Sequence, residues 1–146
     1  MLMPSHAIAA ACLTLVAALA SGATQAPPAK VVSTSSGVYT AAQAARGEQT
    51  YMNTCVSCHP PGTYTAPVFR QKWNGAPLSY LFGLVSQTMP KEEPGTLEPK
   101  EYAQVVAYLL KINGAPAGKA ELPADVEALK KIRISMPAQR SNAPGQ

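Results

Sequence analysis

Cys55-Val56-Ser57-Cys58-His59 gathers most of the reactive side chains of this 146-residue sequence. Of three cysteines and two histidines, only Cys12 and His6 lie elsewhere, and both fall within residues 1–26, which read as an export signal. Ala7 to Ala20 is an apolar run too short to span a bilayer comfortably. Small residues follow it, with candidate cuts after Ala23 or Ala26. One feature departs from the usual signal: no Lys or Arg precedes the run. Cys12, which sits inside the run after Ala9-Ala10-Ala11, makes a poor lipoprotein cleavage site. Cleavage would leave about 120 residues, enough for one small exported domain with tails and too few for a two-domain enzyme. The location this implies is the periplasm, with no stable membrane insertion.

Two cysteines this close in an exported protein could hold a disulfide, a redox dithiol, half a zinc site or a covalent haem. A structural zinc needs four ligands, and no second Cys/His pair exists outside the signal region. A thioredoxin-like dithiol needs a βαβ scaffold, for which the flanking sequence offers no strand candidates. Haem accounts for all three residues at once. Each thiol can add to one vinyl group, and the adjacent imidazole is then held against the iron. A large apolar plate would also help a domain this small to fold, because its own side chains bury too little surface.

The remaining composition fits a short-helix protein. Ten glycines and 14 prolines are too many for long uninterrupted helices. The formal net charge is +4. Residues 1–127 carry 8 basic and 8 acidic side chains, so the whole excess lies in Lys130, Lys131, Arg133 and Arg140. That tail is either a solvated end or a steering segment for an acidic partner. Modest basicity alone makes no nucleic-acid surface, and no catalytic triad or phosphate loop is present.

Along the chain, residues 27–38 read as a polar, flexible leader. A first helix is expected from Thr40, where Thr40-Ala41-Ala42-Gln43 reads as a capping box. Ala44, Gly47, Tyr51 and Cys55 then share one face leading into the haem motif. Pro60, Pro61 and Gly62 should end it, with a loop to about Pro77. A second helix spans Leu78 to Ser86. The third has Pro99 at its first position, an apolar stripe of Tyr102, Val105, Val106, Leu109 and Ile112, and a stop at Asn113-Gly114. A short fourth is placed near residues 124–132. The fold class expected is all-α, three main helices and a short fourth around one haem, with a domain at 39–118 and an extension with a basic tail at 119–146.

The sequence resembles a class I, monohaem cytochrome c of the bacterial periplasmic kind. The resemblance covers roughly Tyr39 to Gly118 and rests on the haem pentapeptide, Ala66-Pro67, Thr88-Met89-Pro90 and the helix Glu101 to Leu109. Asn113 to Gly118 and Glu121 to Asp125 are similar to cytochromes associated with quinoprotein dehydrogenases. Pro60-Pro61 departs from the pattern, where glycine or an acidic residue commonly follows the histidine. The resemblance implies one haem c, attached through Cys55 and Cys58 and ligated by His59.

With no other histidine outside the signal region, the sixth ligand should be a methionine. Met52 lies three residues before Cys55 and is expected to fill core space. Met89 sits in a loop before the closing helix and is the better ligand, against a plain gap-filling role; Met136 is the remaining alternative. By resemblance, the Pro67 carbonyl would accept the His59 Nδ1–H, unless Pro67 is merely a loop proline. Trp73 would reach a haem propionate or simply pack in the core. Gly47 and Tyr51, with Tyr102 or Tyr108, suggest a close helix crossing.

His/Met ligation leaves no open coordination site, so the expected role is a one-electron carrier and not an enzyme. Its donor would be a dehydrogenase or quinol-oxidising complex and its acceptor an oxidase or reductase. Two alternatives remain: a haem subunit held permanently in a dehydrogenase complex as its electron exit, and a ligand-binding or peroxidatic haem with an open distal side. The c′ type fits poorly, since its haem motif usually lies near the C-terminus. The intact mass of the exported protein should exceed the processed chain by one haem; free thiols at both Cys55 and Cys58 would overturn the attachment.

Overall fold

The computed structural model describes residues 31–137. The signal region and Arg140 lie outside them. Six α-helices follow in order: α1 Ala41–Thr54, α2 Pro61–Thr65, α3 Pro67–Trp73, α4 Leu78–Thr88, α5 Pro99–Ile112 and α6 Val126–Lys130. Two two-residue strands, β1 Val32–Ser33 and β2 Ile132–Arg133, pair in parallel with Val32 opposite Ile132.

The three main helices are α1, α4 and α5, as the periodicity indicates, and α6 is the short fourth. The Thr40 hydroxyl accepts from the Gln43 N–H at 3.1 Å, but only half of the expected capping box forms. The buried Gln43 amide turns instead to Leu122, donating to its carbonyl at 2.8 Å and accepting from its N–H at 2.7 Å. A buried backbone segment must have its polar groups paired, and Leu122 has this one side chain to supply both bonds. At α5 the reciprocal bond does form: the Glu98 N–H donates to the Glu101 carboxylate at 2.9 Å.

Helices α1 and α5 meet backbone to backbone. A Cβ on Gly47 would lie 1.8 Å from the Gln104 carbonyl oxygen, so no larger residue fits without separating the helices. Beside this contact Tyr51, Val105, Tyr108 and Leu109 form a small apolar cluster. The main core gathers Tyr39, Leu78, Phe82, Val106 and Leu110 from the helical domain.

Three expectations need correction. The loop from Pro60 to Pro77 contains α2 and α3. Pro61 and Pro67 occupy the start of these helices, where the missing N–H costs nothing and the fixed φ assists. Met52 does not fill the core; it is 42% exposed, one residue round the helix from the buried Tyr51. Within the described residues the leader is not loose. Thr34 is fully buried, its hydroxyl donating to the Ser135 carbonyl at 2.9 Å and accepting from the Ser135 N–H at 2.8 Å. Gly37, at φ +77°, abuts Gly118 so closely that a Cβ on Gly118 would sit 1.9 Å from the Gly37 carbonyl oxygen.

The C-terminal segment is likewise built in. Leu122, Leu129, Ile132, Ile134 and Met136 enter the same core as the helices. Burial alternates along Ile132, Ile134 and Met136, while Lys131, Arg133 and Pro137 face outward, the pattern of an extended chain. This chain is fastened to the α3–α4 connection: the Gly75 N–H donates to the Ile134 carbonyl at 2.7 Å, and the Ile134 N–H to the Ala76 carbonyl at 2.9 Å. Lys130 is paired with Glu127 at 2.6 Å. The cations of residues 130–133 therefore decorate an ordered edge and not a free tail.

Two outcomes follow. Gly47→Ala should lower stability by about 1–3 kcal/mol, the usual cost of overpacking, read as a fall in the thermal midpoint. A chain ending at Glu127 loses four buried side chains, each contributing about 1.5–3 kcal/mol. It should fail to accumulate as a protease-resistant protein, whereas neutralising Lys131 and Arg133 alone should leave the fold intact.

Candidate haem-binding site

Helix α1 delivers the pentapeptide directly. Cys55 caps the helix, with its N–H on the Tyr51 carbonyl at 2.8 Å. The next turn closes through the His59 N–H on the Cys55 carbonyl at 2.9 Å. The Tyr51 hydroxyl donates to the His59 carbonyl, so the helix face that contacts α5 also fixes the end of the motif. The two cysteines are not joined to each other by a disulfide; Cys55 is half-buried and Cys58 exposed. Burial pushes the Cys55 thiol up, the opposite of the lowered value a redox dithiol uses.

Cys55, Cys58, His59 and Met89 line one cavity of about 500 Å³, within the size range of cofactor sites. Its walls are mainly apolar: Tyr64, Phe69, Leu81, Val85, Val105 and Leu109, drawn from α2, α3, α4 and α5. Met89 caps α4, and its N–H donates to the Val85 carbonyl at 3.0 Å. The residues present thus fit a haem: two thiols and an imidazole on one segment, a thioether on another, and an apolar wall between.

Aromatic packing stiffens this wall. The His59 ring lies 5.6 Å from Tyr64, which meets Phe69 edge-on at 5.2 Å and Tyr51 edge-on at 6.2 Å. Burial raises the hydroxyls of Tyr51 and Tyr64, so Tyr51 remains the neutral donor of its bond to the His59 carbonyl. Asn113 ties the region to α5, its amide donating to the Tyr64 carbonyl at 2.8 Å and to the Leu109 carbonyl at 2.9 Å.

Trp73 also lines the cavity, and its indole N–H has no hydrogen-bond partner among the described residues. Pro67 does not line it. Pro67 begins α3, where its carbonyl enters the ladder of that helix, and the structure makes no bond between it and the His59 ring. Met136 is buried on the α3–α4 side, its N–H on the Asn74 side chain at 3.0 Å, and lies off the cavity, as does the exposed Met52. Sequence reasoning overlooked Tyr64 and the use of the Tyr51 and Tyr102 hydroxyls. The available signal was that a buried tyrosine needs a partner for its O–H.

Residues 42–109 match the family model described as cytochrome C oxidase, cbb3-type, subunit III. No curated protein and no solved structure gives a significant match. The matched region runs from α1 through the pentapeptide and Met89 into α5, the same elements that enclose the cavity. Among the described residues no helix is long and apolar enough to cross a membrane. The family match and the helical architecture together support an all-α cytochrome c fold for residues 42–109, the kind that carries haem c in covalent linkage.

Proposed function

We propose that this chain is a one-electron carrier with a single haem, attached through Cys55 and Cys58 and ligated by His59 and Met89. The observation that carries the reading is the convergence of these four side chains on one apolar cavity. A haem held there supplies a one-electron ferric/ferrous couple, and a thioether ligand favours the ferrous state and raises the potential. The chain's own contribution would be to hold the His59 and Met89 donors and to cover the wall with apolar side chains. Trp73, whose indole N–H has no hydrogen-bond partner among the described residues, is suited to bind a propionate. The chain works after export, in the periplasm, between a donor dehydrogenase or quinol-oxidising complex and an acceptor oxidase or reductase. A cytochrome of the quinoprotein-dehydrogenase-associated kind fits this place.

A second reading, a haem subunit held permanently in an oxidoreductase complex, draws support from two observations. The matching family is named for an oxidase subunit. Val68, 71% exposed, and Leu84, 46% exposed, both stand at the cavity wall, where a partner could cover them. The open-distal reading is disfavoured by Met89 on that wall.

Met89→Ala should abolish the weak near-infrared sulfur-to-iron band of the ferric protein, lower the potential and open the iron to exogenous ligands. A variant that keeps the band would remove Met89 from the iron and overturn the assignment.

A further inference from the structure

Met89 opens the segment between α4 and α5, and residues 91–96 of that segment are all exposed. Its internal bonds tie it only to itself: the Glu93 N–H to the Pro90 carbonyl at 3.1 Å, and the Thr96 hydroxyl to the Glu93 carbonyl at 3.0 Å. Such a loop needs an anchor in the core if it is to hold a side chain at one place. The Tyr102 hydroxyl is that anchor. Tyr102 is only 3% exposed, on α5. Its O–H donates to the Met89 carbonyl at 2.7 Å and accepts from the Leu97 N–H at 3.4 Å, so one hydroxyl joins both ends of the loop. The Gly95 N–H reaches the same Met89 carbonyl at 3.4 Å. Tyr102 does not line the cavity.

We infer that Tyr102 is the positioning residue of the distal ligand: its hydroxyl latches the Met89 loop shut and thereby keeps other ligands off the iron. The inference rests on Met89 being the distal ligand. Without the latch, the loop opens more often, and an external ligand has less to displace.

The test compares three variants of the haem-loaded protein. Tyr102→Phe removes both latch bonds, the strong one to Met89 and the long one from Leu97. Tyr39→Phe removes a comparable buried bond, from Tyr39 to the Ala115 carbonyl at 2.5 Å, away from the loop. Met89→Ala removes the proposed ligand. Imidazole binding to the ferric protein should tighten about five- to tenfold in Tyr102→Phe, the factor equivalent to the one strong hydrogen bond lost, and stay unchanged in Tyr39→Phe. The Gly95 and Leu97 amides should exchange with solvent several-fold faster in Tyr102→Phe than in Tyr39→Phe. Wild-type imidazole affinity in Tyr102→Phe, or equal exchange in the two tyrosine variants, would overturn the latch. If that occurs while Met89→Ala has lost its near-infrared band, the latch alone fails. A Met89→Ala protein that keeps the band overturns the ligand reading and the latch with it.

Discussion

The backbone contact of α1 with α5 at Gly47 governs the placement of almost everything else. Because no side chain separates the helices there, Tyr51 one turn later is pressed into the cluster with Val105, Tyr108 and Leu109. From that position its hydroxyl reaches the His59 carbonyl and fixes the end of the pentapeptide. The same α5 carries Tyr102 toward the Met89 loop and Asn113 toward Tyr64. One helix thus secures the segments bearing both proposed axial ligands, and the crossing sets how far apart those segments stand.

A second constraint comes from the chain ends. Small domains bury a limited share of their surface, and this one recruits residues on both sides of the helical region to extend its core. Thr34 and Ser135 exchange two hydrogen bonds, and β1 lies beside β2. Ile134 holds the turn that follows Trp73 through Gly75 and Ala76. The extension therefore supports the far side of the cavity wall, although none of Lys130, Lys131 and Arg133 lies at the cavity. Electrostatic steering by those cations would act from an ordered edge, with Lys130 already paired to Glu127.

Where the sequence carried strong local signals, it could be read. Helices α4 and α5 announce themselves by apolar period, and Pro99 with Asn113-Gly114 bounds α5 closely. The pentapeptide and Met89 stand out in the sequence because their chemistry leaves few other uses, and the fold brings them to one cavity. Helices α2 and α3 were not, since each spans only a turn or two and begins with a proline that reads as a breaker. The strands are two residues long and too short for any pattern to register. Alternation along Ile132, Ile134 and Met136 was present in the sequence, but the basic residues in and around it suggested a solvated tail. Gln43 shows a different limit: its residue type fits the capping box, and only the tertiary neighbour Leu122 decides otherwise. Tyr102 could be placed on a buried stripe, whereas the partner of its hydroxyl depends on where the Met89 loop lands.

The account stands on the apolar cavity being the seat of a covalently bound haem with sulfur at the distal position. An optical spectrum of the exported protein, oxidised and then reduced, before and after acid-acetone extraction, tests this most directly. The account predicts a narrow ferrous band of c-type character that stays with the protein through extraction, and a weak near-infrared band in the ferric form. Haem that passes into the solvent, or a ferric spectrum without the sulfur band, would contradict it.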